Sequence, residues 1–288
     1  MFIPESELIL NEDGSVYHLH LKPEDIADTI LFVGDPDRVG EVSKHFDSIE
    51  FTKHKREFVT HTGFVGNKRL TVLSTGIGTD NIDIVWNELN MLANIDLASR
   101  TLKTQKKTLK VIRIGTSGSL QKDVPVDRIL ASTHGLGLDV LMHYYPFSQD
   151  AETMELEKQF AEQLAIPFLK PYLIKSPGSL FTLFNDAIQG ITATCSGFYA
   201  PQGRIVNSPS TVNKLIEKLS ELQTPTHRIT NFEMETAGIY GLANTFGHEA
   251  VSINAIVANR ITHEFSKNGQ AMIDKTIQYV LDKLSSSS

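Results

Sequence analysis

A chain of 288 residues, 41% hydrophobic and 21% charged, holds enough apolar material for one large α/β core or two small ones. Its formal net charge of −7 argues against a nucleic-acid surface, because phosphate backbones reward a basic face; no apolar run is long enough to span a bilayer. Cys195 is the single cysteine, which excludes an intramolecular disulfide; with no basic and apolar leader in MFIPESELILNEDGS, a cytoplasmic location is expected.

Residues 1–14 read as an N-terminal extension. In YHLHL (17–21) the alternation of a strand accounts for the two histidines better than a zinc pair does, and no other histidine spacing suggests a metal. TILFVGD (29–35) is an apolar run ending in a Gly-Asp-Pro turn, and DRVGEVSKHF reads as a helix. KRLTVLSTGIG is a strand entering a glycine-rich turn, followed by the helical pattern NIDIVWNELNMLAN. The basic stretch SRTLKTQKKTLK (99–110) reads as a solvated loop. LKVIRIGTSGSL repeats the strand-then-glycine arrangement, which places Arg113 at a strand end and Thr116 in a turn. Further strands are predicted at RILAST, GITATCSG and AVSINAIVA, with Cys195 a buried strand thiol. Helices are predicted at AETMELEKQFAEQLA, STVNKLIEKLSEL, METAGIYGLANTF and QAMIDKTIQYVLDKL, before a disordered tail at 285–288. No linker or solenoid-length repeat interrupts this alternation. It predicts one α/β domain over 1–288, with helices on both faces of a mostly parallel or mixed sheet.

Ligands of such sheets gather beyond the carboxyl ends of the strands. That rule selects GDPDR, STGIGTDN, RIGTSG, GFYAPQGR and VANR as one rim, rich in arginine and glycine, poor in acids, and suited to an anion. Gly34 lets backbone N–H groups approach an oxyanion, Arg38 can return from the first helical turn, Arg113 offers a fork and Thr116 a hydroxyl. Taken singly, each is also an ordinary turn or surface residue. Neither glycine stretch has the spacing of a dinucleotide or Walker loop. FYAPQGRIV (198–206) sets Gln202 and Arg204 beside Phe198, an arrangement that fits a flat ligand with donors and acceptors on its edge. NFEMET (231–236) puts two carboxylates around Met234 just ahead of a helix, where acids also serve the helix terminus.

In this order, GDPDR, REF, STGIG, RIGTSG, FYAPQGR and NFEMET resemble the nucleoside phosphorylases of the uridine phosphorylase and purine nucleoside phosphorylase superfamily, from about Tyr17 to the last helix. The resemblance implies a distorted mixed central sheet, partly closed as a barrel and flanked by helices. It implies phosphorolysis of a nucleoside to the free base and ribose 1-phosphate, with inorganic phosphate as co-substrate and no organic cofactor. It also implies at least a homodimer, because each site borrows residues across the interface; a hexamer is left open by the loop at 99–110, longer than in compact hexameric relatives. Gly34, Arg38, Arg113 and Thr116 resemble phosphate ligands of one subunit. Arg56 resembles an arginine lent by the neighbour, and His18 a histidine lent to the ribose 5′-hydroxyl. Met234 and Glu235 match the residues that hold the ribose hydroxyls, and Phe198, Gln202 and Arg204 match the uracil-reading residues. Glu235, Arg204 and Arg113 are the implied catalytic groups. VANR (257–260) has no acid where the purine enzymes carry one, so uridine is the implied substrate. A purine phosphorylase, a water-using nucleosidase and a non-catalytic nucleoside sensor are the alternatives. Two departures stand out: the family's PGQxR is APQGR here, and a potassium site of some relatives matches at Glu57 and Ile77 but has Asn81 in place of Ser.

Overall fold

The computed structural model describes residues 2–207 and 209–286. The run TILFV forms β1 (Thr29–Val33), buried from Ile30 onward. Asp35 then caps α1 (Pro36–Ser43), its carboxylate accepting from the Asp37 N–H at 3.0 Å, while Pro36 occupies the first position, where no donor is needed. β2 (Ser48–Lys55) and β3 (Phe58–Val65) form an antiparallel hairpin; β4 (Lys68–Ser74) pairs antiparallel with β3 and parallel with β1. After α2 (Thr79–Asn94) and the small pair β5 (Ile95–Asp96) and β6 (Thr101–Leu102) come β7 (Lys110–Ser119) and β8 (Ile129–Gly137). The remainder is α3 (Ala151–Leu164), β9 (Tyr172–Lys175), β10 (Ile188–Thr194), α4 (Leu215–Glu221), β11 (Ile229–Glu233), α5 (Thr236–Phe246), β12 (Glu249–Asn259), β13 (Glu264–Phe265) and α6 (Gly269–Ser286).

Among the described residues eleven strands join one mixed sheet, in the order β13-β12-β8-β10-β11-β7-β1-β4-β3-β2 with β9 beside β8. Because β12 also pairs with β7, the strands β7, β12, β8, β10 and β11 close into a ring, and β1, β4, β3 and β2 leave it as a wing. This is the partly closed mixed sheet that the sequence implied. α2 and α5 cover one face through Trp86, Leu89, Ile239 and Tyr240, and α1 and α6 cover the other through Val39, Val42, Ile277 and Val280. No helix among the described residues is long and apolar enough to cross a membrane.

β7 positions the site. It pairs with β1 only as far as Phe32↔Arg113, and β11 joins it only at Gly118 and Ser119. Between those registers one flank of β7 is without a strand, while β12 follows the other flank from Lys110 to Ser119. Such a change of neighbour opens a crevice in an α/β sheet. The turn expected at Gly115–Gly118 is therefore absent: β12 holds this stretch extended, so Arg113 lies mid-strand at the end of β1's pairing, and Thr116 lies in the open interval. The glycines serve clearance instead. A Cβ on Gly115 would lie 1.9 Å from Arg113 Nη1, and one on Gly118 would lie 2.9 Å from the Phe232 ring.

Three further expectations are corrected. Residues 17–19 form a turn rather than a strand, and His20 has φ 58°. α4 starts at Leu215 rather than near Ser210, because Lys214 adopts a left-handed conformation ahead of it. α6 continues through Ser286, its exposed serines donating back to carbonyls one turn earlier, so 285 and 286 are helical; 287 and 288 lie outside the described residues. Cys195 is buried as expected, one residue past the end of β10, with its N–H donating to the Glu233 carbonyl at 2.8 Å.

Candidate active site

Met234 and Glu235 are the joint between β11 and α5, at the mouth of the ring. The two carboxylates on either side of Met234 do different work. Glu233 faces inward and accepts from the N–H groups of Glu235 and Thr236, both at 3.0 Å, and from the Thr194 hydroxyl at 2.8 Å. It satisfies the free donors at the start of α5, the role helix termini give to acids. Glu235 reaches sideways: Oε1 accepts from the Gly78 N–H at 2.8 Å and Oε2 from Arg113 Nη2 at 2.6 Å. Gly78, at φ 91°, is the N-cap of α2, and that backbone conformation aims its N–H at the carboxylate.

Arg113 is buried rather than an open fork. Nη2 lies 2.9 Å from Glu233 Oε2 as well as on Glu235, and Nη1 donates to Asn254 Oδ1 at 3.0 Å. Burial acts to lower its pKa, but the two carboxylates outweigh that and hold it above the ordinary arginine range. Burial raises Glu233, Arg113 opposes the rise, and Glu235 adds to it; the net direction is upward. The rim is therefore richer in acid than its sequence suggested; Asn254 is a member that sequence reasoning missed, and Glu233 was read only as the second of two acids ahead of a helix.

The flank left open beside β7 is cationic. Gly34 follows β1 directly, and a Cβ there would lie 3.7 Å from the Gly76 carbonyl, which shows how closely the two loops approach. Arg38 rises from the first turn of α1, and its buried Nε has no hydrogen-bond partner among the described residues. Burial depresses its pKa, Asp35 opposes this, and nearby Arg113 depresses it further. Beyond Lys110, Thr116 is the one residue of β7 that is not buried. Arg38, near enough to Arg113 for their charges to act on each other, thus joins Thr116 and Gly34 as the groups belonging to the strand ends that border this open flank. Arg56 is not among them. It is exposed at the tip of the β2–β3 hairpin, at φ 56°, with its carbonyl 2.9 Å from His54 Nε2.

The opposite wall is built by the loop after β10. Ala200–Gln202 makes a single 3₁₀ turn, stopped by Gly203 at φ 64°. Gln202 is 3% exposed, so this is no surface turn. Arg204 Nη1 donates to Gln202 Oε1 at 2.6 Å and to the Phe198 carbonyl at 2.7 Å, and its guanidinium carbon lies 3.7 Å from the centre of the Phe198 ring. Arg260 holds the loop from behind, donating to the Gln202 carbonyl at 3.1 Å. Burial and then the neighbouring Arg260 push Arg204 below its ordinary pKa. Arg260 was legible only as part of a rim segment; nothing in VANR announced its contact with the loop.

His18 stands apart from these groups. Its Nδ1 and its backbone N–H each lie 2.7 Å from Glu88 Oε1 on α2. Helix geometry sets Glu88 about 15 Å along α2 from Gly78, the residue that touches Glu235. One chain thus sets Arg113 on Glu235 with Arg38 nearby, locks Phe198, Gln202 and Arg204 together after β10, and leaves His18 on Glu88 and Arg56 on the hairpin tip.

A ring with a wing, holding a carboxylate–arginine pair and an anion crevice at its mouth, defines a phosphorylase-type α/β protein. The chain belongs to the Phosphorylase superfamily, whose family model matches residues 28–285. It is 31% identical over 262 residues to a uridine phosphorylase of Thermococcus kodakarensis, covering 90% of this chain and 83% of that one. It is 23% identical over 273 residues to a DeoD-type purine nucleoside phosphorylase of Buchnera aphidicola, covering 94% and 99%. A solved Trypanosoma brucei nucleoside phosphorylase, described as showing uridine phosphorylase activity, superposes with a TM-score of 0.89 at 29% identity, covering 98% and 100%.

Proposed function

We propose that this chain catalyses the phosphorolysis of uridine to uracil and ribose 1-phosphate. The observation that carries the base assignment is the locked pair of Gln202 and Arg204 against Phe198. With Oε1 turned to Arg204, the Gln202 amide has one lone pair left for the uracil N3–H and an NH₂ for a carbonyl oxygen. The relatives named uridine phosphorylase support the same reading.

In this reaction a phosphate oxygen forms a bond to C1′ as the C1′–N1 bond breaks, and the bonding pair leaves with uracil. The phosphate would be held by Gly34, Arg38 and Thr116, with the Arg38 guanidinium as a charged donor. Arg113 borders the crevice and holds Glu235. The Glu235 carboxylate accepts from the ribose 2′- and 3′-hydroxyls beside Met234, which stabilises the positive charge growing on the sugar. Arg204 stabilises the negative charge moving onto uracil.

The proposal includes a homodimer as the smallest working unit. His18 lies too far along α2 to serve its own chain's Glu235, so the partner's site would receive it, with Arg56 from the hairpin tip. It also includes one domain for the whole chain and a cytoplasmic location, on the single cysteine. Potassium is not part of it. Glu57 and Ile77 match the relatives' ligands, but Asn81 stands where those carry Ser, and its amide nitrogen donates to the Ile77 carbonyl at 3.4 Å.

A panel of uridine, thymidine, cytidine, inosine and adenosine, each with and without phosphate, tests the reading. Uridine should be cleaved only with phosphate, and cytidine should be rejected by orders of magnitude, since it lacks the N3 proton and turns a donor toward Arg204. Inosine cleaved faster than uridine would leave Gln202 without its role; turnover without phosphate would make the protein a nucleosidase.

A further inference from the structure

Glu88 is an acid in an apolar place. It lies on α2 with Val85 and Leu92 one turn to either side, both at 1% exposure or less, and is itself only 6% exposed. A carboxylate in such surroundings is tolerated only when its oxygens are paired. Its partners are three donors of one short turn: the His18 N–H and the His18 ring nitrogen Nδ1 on Oε1, and the Leu19 N–H on Oε2, each at 2.7 Å. The turn is closed around that anchor. Asn11 Nδ2 donates to the Val16 carbonyl at 2.8 Å, the Val16 N–H donates to Leu21 at 3.0 Å, and Val16, Leu19 and Leu21 are buried.

A turn held this way needs no ring contact to be stable, since two backbone donors already satisfy the acid. The contact with Nδ1 does something else. A carboxylate accepts only, so the ring nitrogen facing it must carry a proton, and Nε2 is turned away from Glu88. Tyr17 packs edge-on to the same ring at 4.8 Å and limits its rotation. The His18 side chain remains 29% exposed, so its outer edge is open to a group brought by another molecule.

We propose that Glu88 is a positioning residue for ribose recognition: by holding Nδ1–H of His18 it presents Nε2, in fixed direction, to the 5′-hydroxyl of the nucleoside in the partner subunit's site. The inference rests on the uridine phosphorolysis reading and on His18 acting across a dimer. It makes the 5′-hydroxyl contact a property of α2 as much as of the N-terminal segment.

The experiment compares uridine with 5′-deoxyuridine, which lacks only the hydroxyl concerned, in wild type, Glu88→Gln, His18→Ala and the double variant. Wild type should prefer uridine in kcat/KM. Glu88→Gln, whose amide can present NH₂ to the ring instead of an acceptor, should reduce that preference about tenfold, chiefly through KM for uridine. The double variant should discriminate no less than His18→Ala alone. If Glu88→Gln lowers kcat/KM equally on both substrates, Glu88 is only structural and the proposal is wrong. If His18→Ala keeps the full preference for uridine, the assignment of His18 fails first and the proposal with it, whatever Glu88 does. Should Glu88→Gln not fold, ¹⁵N spectra of histidine-labelled wild type decide: a proton on Nδ1 of His18 is expected, and a ring protonated at Nε2 alone overturns the proposal.

Discussion

At the scale of single residues, Arg204 commits Nη1 to two acceptors while its plane covers Phe198. Its pairing fixes the orientation of the Gln202 amide, so on the proposed reading the two side chains act on a base as one unit. Gln202→Ala should therefore lose uridine turnover by about a hundredfold while phosphate still binds, since a buried acceptor and donor are both removed. Arg204→Ala should slow the departure of uracil and also free the Gln202 amide to rotate, so the double variant should be less than additive. Steady-state kinetics with uridine and independent phosphate-binding measurements check both; full additivity would mean that the two side chains act separately. Residue identities here were legible, because Gln and Arg beside an aromatic have few structural reasons to follow a strand. The pairing between them was not, since it depends on the 3₁₀ turn and on Arg260 from a distant segment.

At the scale of elements, β7 shows where reading a sequence by glycines goes astray. Gly115 and Gly118 mark close approach, not a turn, because a guanidinium and a phenyl ring lie where their Cβ atoms would be. Gly115→Ala should displace the Arg113 side chain from Glu235 and Asn254 and cost about 3 kcal/mol in kcat/KM, roughly a hundredfold. Kinetics together with thermal melting check this; a fully active Ala variant would show that Arg113 can work from another position. The runs that form β1, β4, β10 and β12 were legible because apolar and β-branched residues dominate them. β2 was not, since SIEFTKHK is an edge strand with most of its residues exposed. β11 was hidden for the opposite reason: it is wholly buried, yet three of its five residues, Thr230, Asn231 and Glu233, are polar and find partners inside the ring.

At the scale of the whole molecule, the proposal of a shared site rests on where two residues sit. His18 is anchored far along α2 from the crevice of its own subunit, and Arg56 stands on an exposed hairpin tip. Mixing His18→Ala chains with Glu235→Ala chains should restore part of the activity that each variant lacks, because one site of the mixed dimer then has every group. Activity assays after subunit exchange, monitored independently by mass, check this; no recovery despite exchange would place all functional groups within one chain.

The ring closed by β7 and β12 also sets an order of events on the ribosome. Arg113 is synthesised early, but Asn254 and the β12 flank that keep its strand extended follow 141 positions later. Its carboxylate at Glu235 follows 122 positions after it, and its amide later still. Pairings of such sequence separation form slowly and leave strand edges exposed while they wait. The strand pairings of the β1–β4 wing lie within residues 29–74, whereas the mouth of the ring can assemble only when nearly all of the protein has been made.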